Sequence, residues 1–291
     1  MSKPKINVLL NSIEMKIKCL KNTSLEIIVD CLLNSFEGYF VQLPSDVSYW
    51  KKRYQAARVD LNYSYGMFDN QRMVGFIING IDNINGELTA FNTGTGVLPA
   101  YRGNGVVDSL YEFAIPLLRD RGITRCQLEV ITNNERAIKV YQRIGFNINR
   151  RLYCFKGILH SSNPQYPRIN KTKSAGKIPN DYGDENLYSW DHTREAVTAS
   201  GENYETFIVL SVDAKELGYF TINAQTGYVA RIEKRQFGTY EDIIEAINQL
   251  TKEIKINNVD ESRIQLRNHL MQAGLNNFID QFEMEMKIQN P

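Results

Sequence analysis

The chain predicts an α+β fold: a mixed, mostly antiparallel sheet flanked by helices, built twice over along its 291 residues. Three observations carry that prediction. Short polar turns join three consecutive strand-like runs, a helix with apolar residues at 3.6 spacing follows them, and the same order of elements returns after a break near residues 161–190.

Residues Glu14 to Leu20 alternate as a strand does, and Asn22-Thr23 offers a cap for an amphipathic helix to about Phe36. A second cap at Ser45 opens a polar helix through Trp50 and Tyr54. Three strands are predicted next, near Tyr63 to Phe68, Met73 to Asn79 and Glu87 to Val97, with the polar turns that hairpins require between them. A helix from about Gly103 to Arg121 places Val106, Leu110, Phe113, Ala114, Leu117 and Leu118 on one face. Cys126 to Ile131 reads as a buried strand; Asn134 opens a helix that Gly145 ends, and Arg151 to Ile158 closes the unit.

From Ser161 to about Trp190 the apolar periodicity disappears among prolines, glycines and polar residues, as in a linker or wrapping segment. Beyond it come strands at Phe207 to Val212, Leu217 to Asn223 and Tyr228 to Lys234. A helix capped by Thr239 and Asp242, a strand near Ile256, a helix from Ser262 to Ala273 and an alternating strand from Phe282 to Ile288 follow. Local wording recurs as well: Val74-Gly75-Phe76 resembles Leu217-Gly218-Tyr219, and Ile144-Gly145-Phe146 resembles Ala273-Gly274-Leu275. The reading is an internal duplication, with chance similarity of two meanders as the alternative: residues 1–160, a connection over 161–190, and a second copy over 191–291.

Composition narrows the function. Lys plus Arg number 34 against 33 Asp plus Glu, so no global field favours nucleic acid or an anionic membrane, and an acidic ligand must be held locally. Four cysteines without CxxC spacing and three scattered histidines argue against a metal site. No apolar run approaches the ~20 residues that span a bilayer, so the expectation is a cytoplasmic protein with reduced thiols.

The chemistry is concentrated at Gly96-Val97-Leu98-Pro99-Ala100-Tyr101-Arg102-Gly103-Asn104-Gly105-Val106-Val107, where a strand passes into a helix. Free N–H groups at a helix start form a cradle for phosphate oxygens, and glycine permits close approach. This stretch resembles the acetyl-coenzyme A signature of the Gcn5-related N-acetyltransferase (GNAT) superfamily, a strand ending V-x-P and then R/Q-x-x-G-x-G/A. Val107 departs from it, standing where the family has Gly or Ala. Leu128-Glu129-Val130, Asn134, Ala137, Tyr141, Gly145 and Phe146 match the superfamily's second signature in order and register. The resemblance covers roughly Glu14 to Ile158 and implies a GNAT-like sheet splayed between its fourth and fifth strands, with acetyl-CoA in the gap. The second copy lacks the signature, as in tandem members in which one copy keeps the chemistry.

The resemblance also implies roles. Thr95, Val97, Leu98, Arg102, Gly103, Asn104, Gly105, Val106, Val107, Asn134 and Tyr141 are expected to hold acetyl-CoA, and Gly94 and Gly96 suit a bulge in the splayed strand. Tyr141 is the candidate general acid for the departing thiolate, its competing role being a core tyrosine. Glu129 is the leading general base, its competing role being a structural acid. Glu37 is a second candidate base. Tyr39, Phe40, Trp50, Tyr54 and Asn92 are candidates for the amine pocket or for core.

The implied activity is transfer of an acetyl group from acetyl-CoA to an amine, on a small molecule or a peptide, by direct attack in a ternary complex. The alternative is a catalytically silent acetyl-CoA-binding or protein-interaction module, motivated by Val107 and by the degenerate second copy. A second copy packed on the first would mimic the superfamily's homodimer within one chain; a homodimer of whole chains is the other arrangement.

Overall fold

The computed structural model describes residues 15–38, 42–84, 86–160, 167–171 and 183–288. The first copy comprises β1 (Met15–Cys19), α1 (Leu25–Ser35), α2 (Val47–Ala56), β2 (Tyr65–Asp69), β3 (Arg72–Ile84), β4 (Glu87–Val97), α3 (Val106–Arg119), β5 (Arg125–Ile131), α4 (Glu135–Ile144) and β6 (Asn147–Ile158). The second comprises β7 (Arg168–Lys171), α5 (Arg194–Ala199), β8 (Glu205–Leu210), β9 (Glu216–Asn223), β10 (Tyr228–Lys234), α6 (Tyr240–Asn248), β11 (Glu253–Asp260), α7 (Ile264–Gln272) and β12 (Leu275–Lys287). None of the described helices is long and apolar enough to cross a membrane.

Local chemistry accounts for most element ends. The Asn134 side chain accepts from Ala137 N at 3.2 Å and opens α4, and Gly145 at φ 119° closes it. Thr239 and Asp242 form the reciprocal capping box of α6. Helix α3 begins at Val106 rather than Gly103, because Gly103 and Gly105 take the left-handed conformation and no helix propagates through it. The second helix is capped by Asp46, which accepts from Ser48 N, and not by Ser45.

All twelve strands join one sheet, in the order β1-β2-β3-β4-β5-β12-β6-β11-β10-β9-β8-β7. That order is its own mirror when each strand of one copy is exchanged for its counterpart in the other. Each copy gives up its last strand: β12 pairs with β5, β6 pairs with β11, and the two exchanged strands pair with each other. A pseudo-two-fold axis passes through the facing pair Leu152 and Gln281, which are counterparts when the two copies are aligned on Gly145 and Gly274.

The exchange joins the cores. Met284 and Met286 of β12 lie in the first core with Phe76, Leu110 and Phe146, whereas Phe155 of β6 lies in the second with Phe220, Ile247 and Leu270. Burying one such side chain contributes about 1.5–3 kcal/mol, so removing either exchanged strand leaves the opposite core open. Helix and sheet approach closely in the same way in both copies: a Cβ on Gly75 would lie 2.6 Å from Val106 Cγ1, and one on Gly218 2.6 Å from Ile243 Cδ1. The duplication read from the sequence is thus present, but its copies interlock instead of standing on either side of a linker.

The connection over 161–190, expected as a linker or wrapping segment, carries ordered anchors among its described residues. Residues 161–166 and 172–182 lie outside the described residues, yet Arg168–Lys171 adds an edge strand against β8, and Tyr188, Ser189, Trp190 and His192 are buried. Single anchors on tight turns leave no period in the sequence, which is why the segment reads as a loop.

Candidate active site

Strands β4 and β5 run parallel from Thr89 opposite Arg125 to Asn92 opposite Leu128, and there the pairing stops although both strands continue. The cause sits in β4. Its register against β3 slips between Ile78 and Asn79, which leaves Thr93 as an extra residue, and such a bulge bends a strand out of plane. Beyond Asn92 the β5-facing edge of β4 has no strand partner among the described residues. Gly96 is obligatory for packing, since a Cβ there would meet the Phe76 ring at 2.6 Å and Ser35 Cβ at 2.8 Å.

The gap opens into a cleft of about 940 Å³. Thr95, Val97, Arg102, Gly103, Gly105, Val106, Val107, Glu129, Asn134 and Tyr141 line it, and Glu37 stands at its mouth beside Phe36 and Gly38. The phosphate cradle is formed. Among the described residues the amides of Gly103 through Asp108 have no backbone acceptor, the first such bond at this end being Ser109 N to Gly105 O at 2.9 Å. A Cβ on Gly103 or Gly105 would meet nothing within 4 Å, so the approach is open. The Val107 side chain is half-buried and packs toward the core. These features fit a pyrophosphate-bearing donor.

Some expected residues stand elsewhere. Leu98 is buried in the core, and its N–H is taken by Val74 O at 2.9 Å. The Asn104 side chain points to Tyr101 O, so Asn104 enters the cradle through its backbone amide alone. The Arg102 guanidinium ties the loop to α1 through Ser35 O at 2.9 Å, so its side chain braces the cradle. Trp50 belongs to the core with Tyr54 and donates to Pro44 O, which removes both from the amine pocket. Asn92 reaches the cleft, but its amide is engaged by Thr95 Oγ1 and the Tyr111 hydroxyl, each at 2.8 Å. Tyr39 and Phe40 lie outside the described residues.

Three cations escaped the sequence reading. Arg136, Lys139 and Arg143 of α4 border the cleft, and Arg143 grips Asp108 of α3 through two bonds of 2.8 and 2.7 Å. Their spacing of three and four residues puts them on one helix face, a signal legible in the chain. Arg143 is paired with Asp108 and Lys139 Nζ lies 3.9 Å from Glu135 Oε2, so the positive charge of this face is partly offset.

Tyr141 projects from α4 and meets Tyr111 and Phe146 edge to face at 6.5 and 5.8 Å. Glu129 reaches the cleft from β5. Its Oε2 accepts from Asn258 Nδ2 at 2.7 Å, while Oε1 is sealed from bulk solvent and has no hydrogen-bond partner among the described residues. Burial first, then the nearby Asp191 and Glu283 carboxylates, raises its carboxyl from the ordinary 4.5 to about 8, against the opposing pull of Asn258 and Arg150.

The second copy repeats the backbone and closes the gap. Its β10 slips register at the equivalent place, leaving Ala230 as the extra residue, and β10 meets β11 only at Tyr228 opposite Lys255. Aligning the registers sets Arg231 opposite Gly94 and Glu233 opposite Gly96. Arg231, 0% exposed, bonds Glu185, the His192 carbonyl and Tyr219. Arg263 Nη2 donates to Ile232 O at 2.5 Å, and the Tyr188 hydroxyl donates to Ile232 O at 3.2 Å and to Glu233 Oε1 at 2.5 Å. Side chains thus occupy the second copy's edge at Ile232 O, whereas in the first copy the edge past Asn92 lacks a strand partner among the described residues and Arg102 Nε reaches Val97 O at 3.2 Å. The cradle has gone as well, because the capped helix α6 starts earlier and carries Glu241 and Asp242 in its first turn, at the end where an anion would bind.

Residues 28–146 match the model of the acetyltransferase (GNAT) family. The chain is 30% identical over 94 residues to N-alpha-acetyltransferase 30 of Schizosaccharomyces pombe, a match covering 32% of this chain and 63% of that protein. It is 29% identical over 120 residues to the [ribosomal protein bS18]-alanine N-acetyltransferase of Escherichia coli, covering 40% of this chain and 78% of that one. Two solved structures share the whole architecture. A GCN5-related N-acetyltransferase from Sphaerobacter thermophilus superposes with a TM-score of 0.64 at 13% identity, covering 95% of this chain and 96% of its own. A tandem GNAT protein from the clavulanic acid biosynthesis pathway superposes with a TM-score of 0.62 at 12% identity, covering 96% and 100%. Residues 28–146 thus carry the match to the acetyltransferase (GNAT) family, and the chain as a whole has the GNAT fold. Within it the chain has the tandem form, with a second GNAT-like portion from about residue 160 onward.

Proposed function

We propose that this protein transfers an acetyl group from acetyl-CoA to a primary amine, and that only the cleft of the first copy works. One observation carries the reading: Glu129 lines the cradle-bearing cleft, with its carboxyl anchored through Oε2 and its pKa raised to about 8. Acetyl-CoA supplies the activated carbonyl. The amides after Gly103 and the cations Arg136, Lys139 and Arg143 hold its phosphates, and the bare edge of β4 beyond Asn92 orients its pantetheine arm. The Glu129 carboxylate takes the proton of the acceptor nitrogen. The Tyr141 hydroxyl, from a residue that also lines the cleft, protonates the departing sulfur.

The curated relatives are named for action on protein α-amines. An α-amino group ionises near ~7.7–8 and is partly neutral at working pH, whereas an alkylamine near ~10 is mostly protonated and needs more help from a base. The test is coenzyme A release with a panel of short peptides and small amines, together with calorimetry of acetyl-CoA. Turnover with an α-amine and one binding site per chain sustain the proposal; tight binding without turnover across the panel overturns it in favour of a silent acetyl-CoA-binding module.

A further inference from the structure

The first copy does not hold its own base. Aligning the copies on Gly145 and Gly274, without gaps, sets Asn134 opposite Arg263, each at the start of its helix, and sets Glu129 opposite Asn258. These last two counterparts touch across the pseudo-two-fold axis.

Asn258 is built for the contact. It sits at the irregularity of β11 between Ile256 and Val259, at φ 55°, and is 6% exposed. Asparagine tolerates this left-handed conformation better than most residues. Its Oδ1 accepts from Gln281 Nε2 at 2.7 Å, which fixes the amide with Nδ2 toward Glu129 Oε2 at 2.7 Å and Ser189 Oγ at 3.1 Å. Its backbone N–H points to Cys154 Sγ at 3.4 Å. The groups locking Asn258 come from β12, β6 and the turn at Ser189, and none comes from the elements that form the cleft.

The other charged groups around Glu129 are committed. Asp191 is held by Arg53 in two bonds of 3.0 and 2.7 Å, and Glu283, opposite Glu129 on β12, takes Arg150 Nη2 at 2.7 Å and Asn149 Nδ2 at 2.8 Å. Cys154 of β6 lies behind Asn258. Asn258 is therefore the neutral donor that fixes Glu129, a residue lining the cleft, through Oε2.

We infer that Asn258, a residue of the second copy, is the positioning residue of the first copy's active site, holding Glu129 by one oxygen and favouring its proton-accepting form over what burial alone would leave. The inference rests on the reading of Glu129 as base. It gives the second copy a function other than binding acetyl-CoA: strand exchange delivers a side chain that the working cleft needs.

The test uses the full chain and two variants. Asn258→Gly keeps the backbone conformation and deletes the donor; Asn258→Asp keeps the shape, cannot donate when ionised, and adds a like charge. The Glu129 carboxyl is titrated by carbon-13 NMR, its signal identified by loss in Glu129→Gln. Coenzyme A release is measured from pH 6 to 10 with an alanine-initiated tripeptide as probe. A donor to the carboxylate favours its charged form, so its loss raises the pKa. The expected result is an upward shift of about one unit in Asn258→Gly and more in Asn258→Asp. Turnover near neutral pH should fall ~10-fold or more, recover as pH rises, and leave acetyl-CoA affinity within about 2-fold. An unchanged Glu129 titration in Asn258→Gly overturns the inference, whether or not the tripeptide is a substrate. If Glu129→Gln abolishes turnover while Asn258→Gly matches wild type, only this inference falls; if Glu129→Gln retains full turnover, the base assignment falls and takes this inference with it.

Discussion

Asn258 donates a hydrogen bond of 2.7 Å to Glu129, and the two residues occupy the same position in the two halves of a duplicated fold. One copy thus carries a carboxylate that lines the cleft, and the other carries the amide that donates to it.

Burial and carboxylate neighbours raise Glu129 to about 8 in the folded chain, against 4.5 when unfolded. Between these values the native state holds a proton that the unfolded state has released, so this group's contribution to stability is full below pH 4.5 and is lost as pH rises through 8. Glu129→Gln removes the titration. Thermal melts are expected to show a gain of ~2–6 °C over wild type at pH 8.5 that shrinks to nil near pH 4.5. Equal gains at both pH values would mean that the carboxyl is not held protonated by the fold.

Gly105 lies at φ 71° with open space where a side chain would go, directly at the cradle. Gly105→Glu forces a disfavoured backbone conformation and sets a negative charge against the phosphates. Calorimetry is expected to lose acetyl-CoA binding at micromolar protein. Unchanged affinity would move the donor site away from this loop.

Arg136 and Lys139 face the cleft mouth from α4. Reversing either charge is expected to weaken acetyl-CoA affinity ~5- to 20-fold at low salt, with the difference narrowing as ionic strength rises. A salt-independent loss would point to damaged packing of α4.

Tyr141 meets the rings of Tyr111 and Phe146, and Tyr141→Phe leaves those contacts in place. Acetyl-CoA affinity is expected to hold while turnover falls by ~10- to 100-fold, since a thiolate leaves fairly well unaided. Full turnover would return Tyr141 to a packing role.

The catalytic half was legible because its signals are local. The glycines before α3, the Asn134 cap and the stripe of Ala137, Tyr141 and Ile144 each act within a few residues of sequence, and the structure places them together. What escaped is non-local. The alternation of Phe282, Met284 and Met286 announces a strand, but nothing in it says that the partner is β5 of the other copy. Arg231 and Glu233 read as ordinary strand charges until their registers set them opposite Gly94 and Gly96. Trp50 and Leu98 were misplaced because an apolar residue near a cleft and one in the adjoining core have the same pattern. Asn258 was within reach: the match of Ile144-Gly145-Phe146 to Ala273-Gly274-Leu275, extended backward, finds it opposite Glu129.

The most direct test of the account is the pH dependence of turnover in Glu129→Gln, measured against wild type with an α-amine acceptor drawn from the panel. In the wild type the rate is predicted to rise through an apparent pKa near 8. The variant is predicted to lose ~100-fold or more near neutral pH and to regain part of that only as free amine accumulates. Parallel profiles with similar rates in the two proteins would contradict the assignment of Glu129 as the base.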